Sequence, residues 1–148
     1  MVRNKLRILF LTGSHPRHQY ISRKLDKTGK LIGIICQKRE SLVPKSPEDI
    51  KIEAKALFEL HFKKREESEN KFFGEALWPD IPIMEIEKSQ QNSKEVLEKI
   101  KALKPNLLLT YGCGILSREV IDSVDGEAWN IHGGLSPWYK GGITMFWP

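Results

Sequence analysis

Five short apolar runs punctuate the chain, Leu6 to Leu11, Leu31 to Cys36, Ile81 to Ile86, Leu107 to Tyr111 and Ala128 to His132. Each has the length of a strand. Between them, Arg17 to Lys27, Ile50 to Phe73, Ser93 to Leu103 and Ser117 to Val124 repeat their apolar residues three or four apart, as Val96, Leu97, Ile100 and Leu103 do. That spacing keeps one face of a helix apolar. Strands that alternate with helices predict an α/β layer fold. Its open sheet is mostly parallel and has helices on both faces, because parallel neighbours need crossover connections.

Two polar stretches fit between these elements. His61 to Lys71 mixes both signs of charge, with Arg65 four residues before Glu69, and is expected to form the solvated face of a helix. Gln37 to Asp49 holds two prolines and is expected to be a surface loop. No repeat or linker divides the chain, so residues 1–148 are read as one domain.

Composition changes this picture only a little. At 40% hydrophobic and 29% charged residues the chain has the balance of a globular domain. The net charge of +5 suits either an anionic partner (a phosphorylated metabolite, a nucleotide, a folate tail or RNA) or a merely soluble basic surface. Two cysteines, Cys36 and Cys113, form no pairing or metal framework, so a reducing cytoplasm is the expected compartment. The opening MVRNKLRILFLTG has too brief an apolar run for a membrane span and is followed by no small-residue cleavage site, so it is read as the first strand.

In open α/β sheets ligands collect beyond the carboxyl ends of the strands, and three of those ends carry unusual residues. After the first run comes Thr12-Gly-Ser-His-Pro-Arg-His18. There Gly13 and Ser14 lead into a helix N-terminus able to face an anion, and Arg17 is suited to grip a phosphate. The competing reading is a polar turn with Ser14 as helix cap. His15 and His18 are three apart, but no nearby Cys or carboxylate joins them, so no metal is expected. After the fourth run comes Tyr111-Gly112-Cys113-Gly114-Ile115-Leu116. Its two glycines let a planar ligand lie against bare backbone, with Ile115 and Leu116 as apolar walls. Cys113 is read as a small filler, since no charge within three positions would depress its pKa.

The third end is Asn130-Ile-His-Gly-Gly-Leu-Ser-Pro-Trp-Tyr-Lys-Gly-Gly142. Asn130 and His132 are two apart, so they share one strand face while Ile131 is expected to turn into the core. An amide donor beside an imidazole suits acyl transfer, in which an oxyanion is stabilised and a proton moved. Gly133 and Gly134 clear the approach, and Pro137 stiffens the turn that follows. The competing reading is a strand end with a hydrogen-bonded core histidine.

With these residues in view, the chain resembles the formyltransferases that use 10-formyltetrahydrofolate, a family that includes enzymes for glycinamide ribonucleotide, methionyl-tRNA and nucleotide sugars. Asn130-Ile131-His132, Leu135, Pro137, Tyr139, Lys140 and Gly141 fit the shared motif, whereas Gly133, Gly134 and Ser136 depart from its commonest forms. LLLTYGCGIL and RILFLTGS resemble the family's pterin-facing loop and its first strand with the substrate-side loop. The resemblance covers nearly the whole chain and implies a Rossmann-like fold.

The resemblance assigns catalysis to Asn130 and His132. It places the folate against Tyr111 to Leu116 and the turn Leu135, Ser136 and Pro137. It sets Gly13, Ser14, His15, Arg17 and Lys140 toward the acceptor. The family's further catalytic residue, an aspartate, lies some tens of residues after the Asn-x-His motif, and no Asp follows His132 here. The chain is therefore expected to be a catalytic domain incomplete at its C-terminus. The preferred acceptor is a small phosphorylated or nucleotide-linked amine, in particular an amino sugar, with tRNA less favoured and no membrane involved. Formyl-folate hydrolysis and a non-catalytic folate-binding or phosphate-binding module remain the alternatives.

Overall fold

The computed structural model describes residues 5–75, 77–134 and 138. The elements follow the expected alternation: β1 Ile8–Gly13, α1 Pro16–Asp26, β2 Leu31–Gln37, α2 Ile52–Phe73, β3 Ile83–Ile86, α3 Lys94–Leu103, β4 Leu107–Tyr111, α4 Arg118–Asp122 and β5 Glu127–Ile131. A single 3-10 turn, Gln90–Asn92, precedes α3. All strand pairs are parallel, in the order β3-β2-β1-β4-β5. This is a Rossmann-like arrangement whose order reverses between β1 and β4.

Strand alternation divides the core into two layers. Leu9, Leu11, Ile35 and Leu108 face Val96, Leu97 and Ile100 of α3 and Val120 of α4. Ile8, Phe10, Ile34 and Leu109 face the other way, toward Ile21 and Leu25 of α1. The central strands are buried on both faces, which is why they read as continuous apolar runs. Helix ends follow local chemistry. Pro16 opens α1, where its missing N–H costs nothing. Ser93 caps α3 by accepting from Val96 N–H. At the far end of α3, Arg7 donates to the carbonyls of Leu103 (2.7 Å) and Lys104 (3.2 Å), which would otherwise lack partners.

Five expectations are corrected. Strand β1 runs on through Thr12 and Gly13, and β3 begins at Ile83, because Pro82 interrupts the third apolar run. The cap position of α1 is His15, which makes no capping bond, and Ser14 Oγ accepts from Arg39 N–H instead (3.0 Å). Most of 61–71 is solvated, but Glu69 is buried where its carboxylate meets Arg17 of α1 and, at 3.7 Å, Arg65. Ile131 does turn to the face opposite Asn130, yet it is 38% exposed, because β5 is an edge strand that no described residue covers on the α1 side.

Candidate active site

The reversal of strand order sets the carboxyl ends of β1 and β4 side by side, and β5 follows immediately. Two distinct corners result.

At the β1–α1 corner, His18 is fully buried. Its Nδ1 lies 3.2 Å from Gly13 N, which donates to it. Thr12 Oγ1 lies 2.7 Å from the same Nδ1, and the Tyr111 ring packs on the imidazole with centroids 4.8 Å apart. Burial, reinforced by the charge of Arg17, holds His18 down at about 3, so the imidazole is neutral. His15 Nε2–H donates to Glu40 O at 2.7 Å, and burial lowers its pKa as well. Arg17, expected to grip a phosphate, is engaged by the Glu69 carboxylate. Neither nearby sequence nor helix period indicated that partner, which lies 52 positions away.

The second corner is a cavity of about 490 Å³ lined by Thr110, Gly112 to Leu116, Ile121 and Ala128 to His132. It unites the loop after β4 with Asn130 and His132, the two groups for which separate strand ends had been singled out. Tyr111 lies beside the cavity and not on its wall, since it faces His18. Gly13, Ser14, His15 and Arg17 belong to the first corner and do not line the cavity. Leu135, Ser136, Pro137 and Lys140 lie outside the described residues.

Register aims Asn130. Thr110 and Asn130 are paired across β4 and β5, and the Thr110 hydroxyl lies 2.9 Å from Asn130 Oδ1. An amide oxygen can only accept, so Thr110 donates and Asn130 keeps its Nδ2 hydrogens for other acceptors. His132 Nδ1 lies 3.1 Å from Gly134 O and 3.3 Å from Gly134 N. The glycine backbone thus offers a partner to either tautomer of the ring. Burial pushes the Cys113 thiol above its ordinary range, which suits a filler and not a nucleophile.

Thr110 and Trp129 went unnoticed in the sequence, although strand alternation from Asn130 and the β4–β5 pairing supply the signal for Thr110. A larger cavity, about 710 Å³, opens at the other end of the sheet among Lys5, Arg7, Lys104 and Asn106. It sits at the amino ends of the strands, where open α/β sheets do not gather their ligands, so size does not decide between the two.

The family model described as Formyl transferase matches residues 6–146. The chain belongs to the formyl transferase family. Its similarity to individual members is more local. It is 35% identical over 74 residues to methionyl-tRNA formyltransferase from Clostridium botulinum (strain Alaska E43 / Type E3), a stretch that takes in 49% of this chain and 24% of that protein. It is 41% identical over 72 residues to methionyl-tRNA formyltransferase from Bacillus subtilis (strain 168), or 48% of this chain and 22% of that one. The matched stretch therefore spans under a quarter of these relatives' own length. Within the formyl transferase fold, the cavity at β4 and β5 is the place where the resemblance and the geometry meet.

Proposed function

We propose that this chain carries the formyl-transfer site of an enzyme that moves the formyl group of 10-formyltetrahydrofolate to a primary amine, and that the amine is that of methionyl-tRNA. The observation that carries the reading is the shared cavity. One wall is bare glycine backbone with Ile115 and Leu116 beside it, and the facing wall presents Asn130 and His132. A planar ring fits against glycines, and about 490 Å³ is within the range of small-molecule sites.

The chemistry follows from the placement of two side chains. As the amine nitrogen attacks the formyl carbon, charge gathers on the formyl oxygen, and Asn130 Nδ2–H donates to it. Thr110 holds the amide in the orientation that makes this donation available. His132 takes the proton that the amine loses and delivers it to the departing folate nitrogen as the carbon–nitrogen bond breaks. An imidazole anchored by the Gly134 backbone is suited to both transfers. Cytoplasmic thiols agree with this setting, since Cys36 and Cys113 are both free. Among the described residues, no helix is long and apolar enough to cross a membrane.

The acceptor rests on the relatives, which are named methionyl-tRNA formyltransferases, and on the net charge of +5, which suits RNA. They favour tRNA over the nucleotide-linked amino sugar expected from the sequence. The test is a mixture of methionyl-tRNA and a nucleotide-linked amino sugar incubated with the protein and 10-formyltetrahydrofolate, then read by mass spectrometry. Formyl on the methionyl amine supports the reading. Formyl on the sugar alone restores the earlier expectation, and free formate alone marks a hydrolase.

A further inference from the structure

Resting on the proposed folate site, we infer that Gln37 and Gln91 are positioning residues for the formyl donor, because together they hold the loop backbone at Gly114 and Ile115 against which the donor lies. Gln37 ends β2 and is 1% exposed, in a strand otherwise filled by apolar residues. Gln91 sits in the 3-10 turn before α3 and is buried as well. Two buried amides in such places are costly unless their polar atoms are satisfied.

The satisfaction runs one way, toward the loop. Gln37 Oε1 accepts from Gly114 N–H at 3.1 Å. Gln37 Nε2 donates to Gln91 Oε1 at 3.0 Å, and Gln91 Nε2 donates to Ile115 O at 3.3 Å. A backbone N–H only donates and a carbonyl only accepts, so the loop itself fixes the orientation of both amides. Asn92 adds two bonds from an exposed position, donating to Ile115 O (3.0 Å) and accepting from Ser117 N–H (2.7 Å). Gly114 is required by this closeness: a Cβ there would sit 2.4 Å from Gln91 Nε2.

Packing holds only part of the loop: Cys113 and Leu116 lie against the core. Between them Ile115 is 89% exposed, and the segment between β4 and α4 has no strand or helix ladder of its own. Its backbone is held by three side chains from the β2 end and the 3-10 turn, while its other side lines the cavity that contains Asn130 and His132. Losing one link lets the wall move relative to those two residues, and the donor is the molecule that feels it.

The test compares wild type with Gln91→Leu and with Asn92→Ala, the latter at an exposed position where folding is not at stake. The probe is 5-formyltetrahydrofolate, a non-transferring analogue of the donor, measured by titration calorimetry well below the thermal midpoint of each variant. Amide hydrogen exchange at Gly114 is followed alongside. The inference predicts faster Gly114 exchange and a Kd raised about tenfold for Gln91→Leu, with a rise of roughly threefold for Asn92→Ala, the size expected from losing one or two neutral hydrogen bonds. A Kd equal to wild type in both variants, whatever their thermal midpoints, overturns it and leaves the proposed function standing. Wild type that binds no probe overturns the proposed function, and this inference with it.

Discussion

The Thr110 hydroxyl lies 2.9 Å from Asn130 Oδ1, across a register in which the two residues are directly paired on β4 and β5. This contact turns an amide on an exposed edge strand into an oriented donor. Thr110→Val keeps the shape and removes the O–H. It is expected to lower the rate of formyl transfer by about tenfold, less than the loss of Asn130 itself, with little change in donor affinity, because one neutral hydrogen bond is removed from behind the reacting group. Steady-state kcat and KM for the two variants check this. A Thr110→Val variant with the wild-type rate would show that Asn130 needs no such support.

Acid should destabilise the fold through His18. Its folded pKa of about 3 lies below the ordinary 6.5, so the unfolded chain binds the extra proton between those values. Stability from this group is complete above about pH 6.5 and is lost as pH falls toward 3, with a slope of up to about 1.4 kcal/mol per pH unit. His15 is also held below its ordinary value and acts in the same direction. Urea unfolding between pH 7 and 4 should show the slope, and His18→Gln should flatten it. An unchanged slope in that variant would remove His18 as the cause.

Glu69 joins α2 to α1 through Arg17, with both side chains largely buried. Glu69→Ala leaves the Arg17 and Arg65 guanidinium groups together without their carboxylate. It should cost about 2 to 4 kcal/mol, since removing one partner of a buried pair strands the other charge. The midpoint of urea unfolding reads this directly, and a loss under about 0.5 kcal/mol would mean that the pair behaves as a surface one.

Gly112 has φ 64°, and a Cβ there would stand 2.5 Å from Cε1 of the buried His18. Gly112→Ala is therefore expected to destabilise the protein by about 2 kcal/mol or more, combining left-handed backbone cost with overpacking against a ring that has nowhere to go. Thermal unfolding with and without His18→Ala in the same chain separates the two causes, because the smaller residue should recover the overpacking part only.

Periodicity and chain punctuation carried the fold: all five strands and four helices fall where apolar spacing places them, and the parallel sheet follows from their alternation. Asn130 and His132 were read from their spacing as neighbours at one strand end, and both line the cavity, although β5 stops at Ile131 and His132 follows it. The long-range partners were not legible. Arg17 and Glu69 are 52 positions apart, Gln37 and Gln91 54, and Gln37 and Gly114 77. No local pattern encodes such pairings, which are fixed by which strands become neighbours and in what register. Glu69 misled because a helix this polar looks solvated on every face, and its single buried carboxylate is set by where α1 crosses it. Ile131 misled because alternation tells which face a side chain takes but not whether an edge strand has a cover on that face.

In the proposed mechanism Asn130 and His132 act on the formyl group within the cavity at β4 and β5. The most direct test is single-turnover formyl transfer from 10-formyltetrahydrofolate by wild type, Asn130→Ala and His132→Ala, with donor affinity measured on the same preparations. The account predicts that each variant loses about a hundredfold or more in rate while donor Kd changes by less than about threefold, the signature of groups used in the transition state. Wild-type rates in either variant, or a rate loss explained wholly by weaker donor binding, would contradict it.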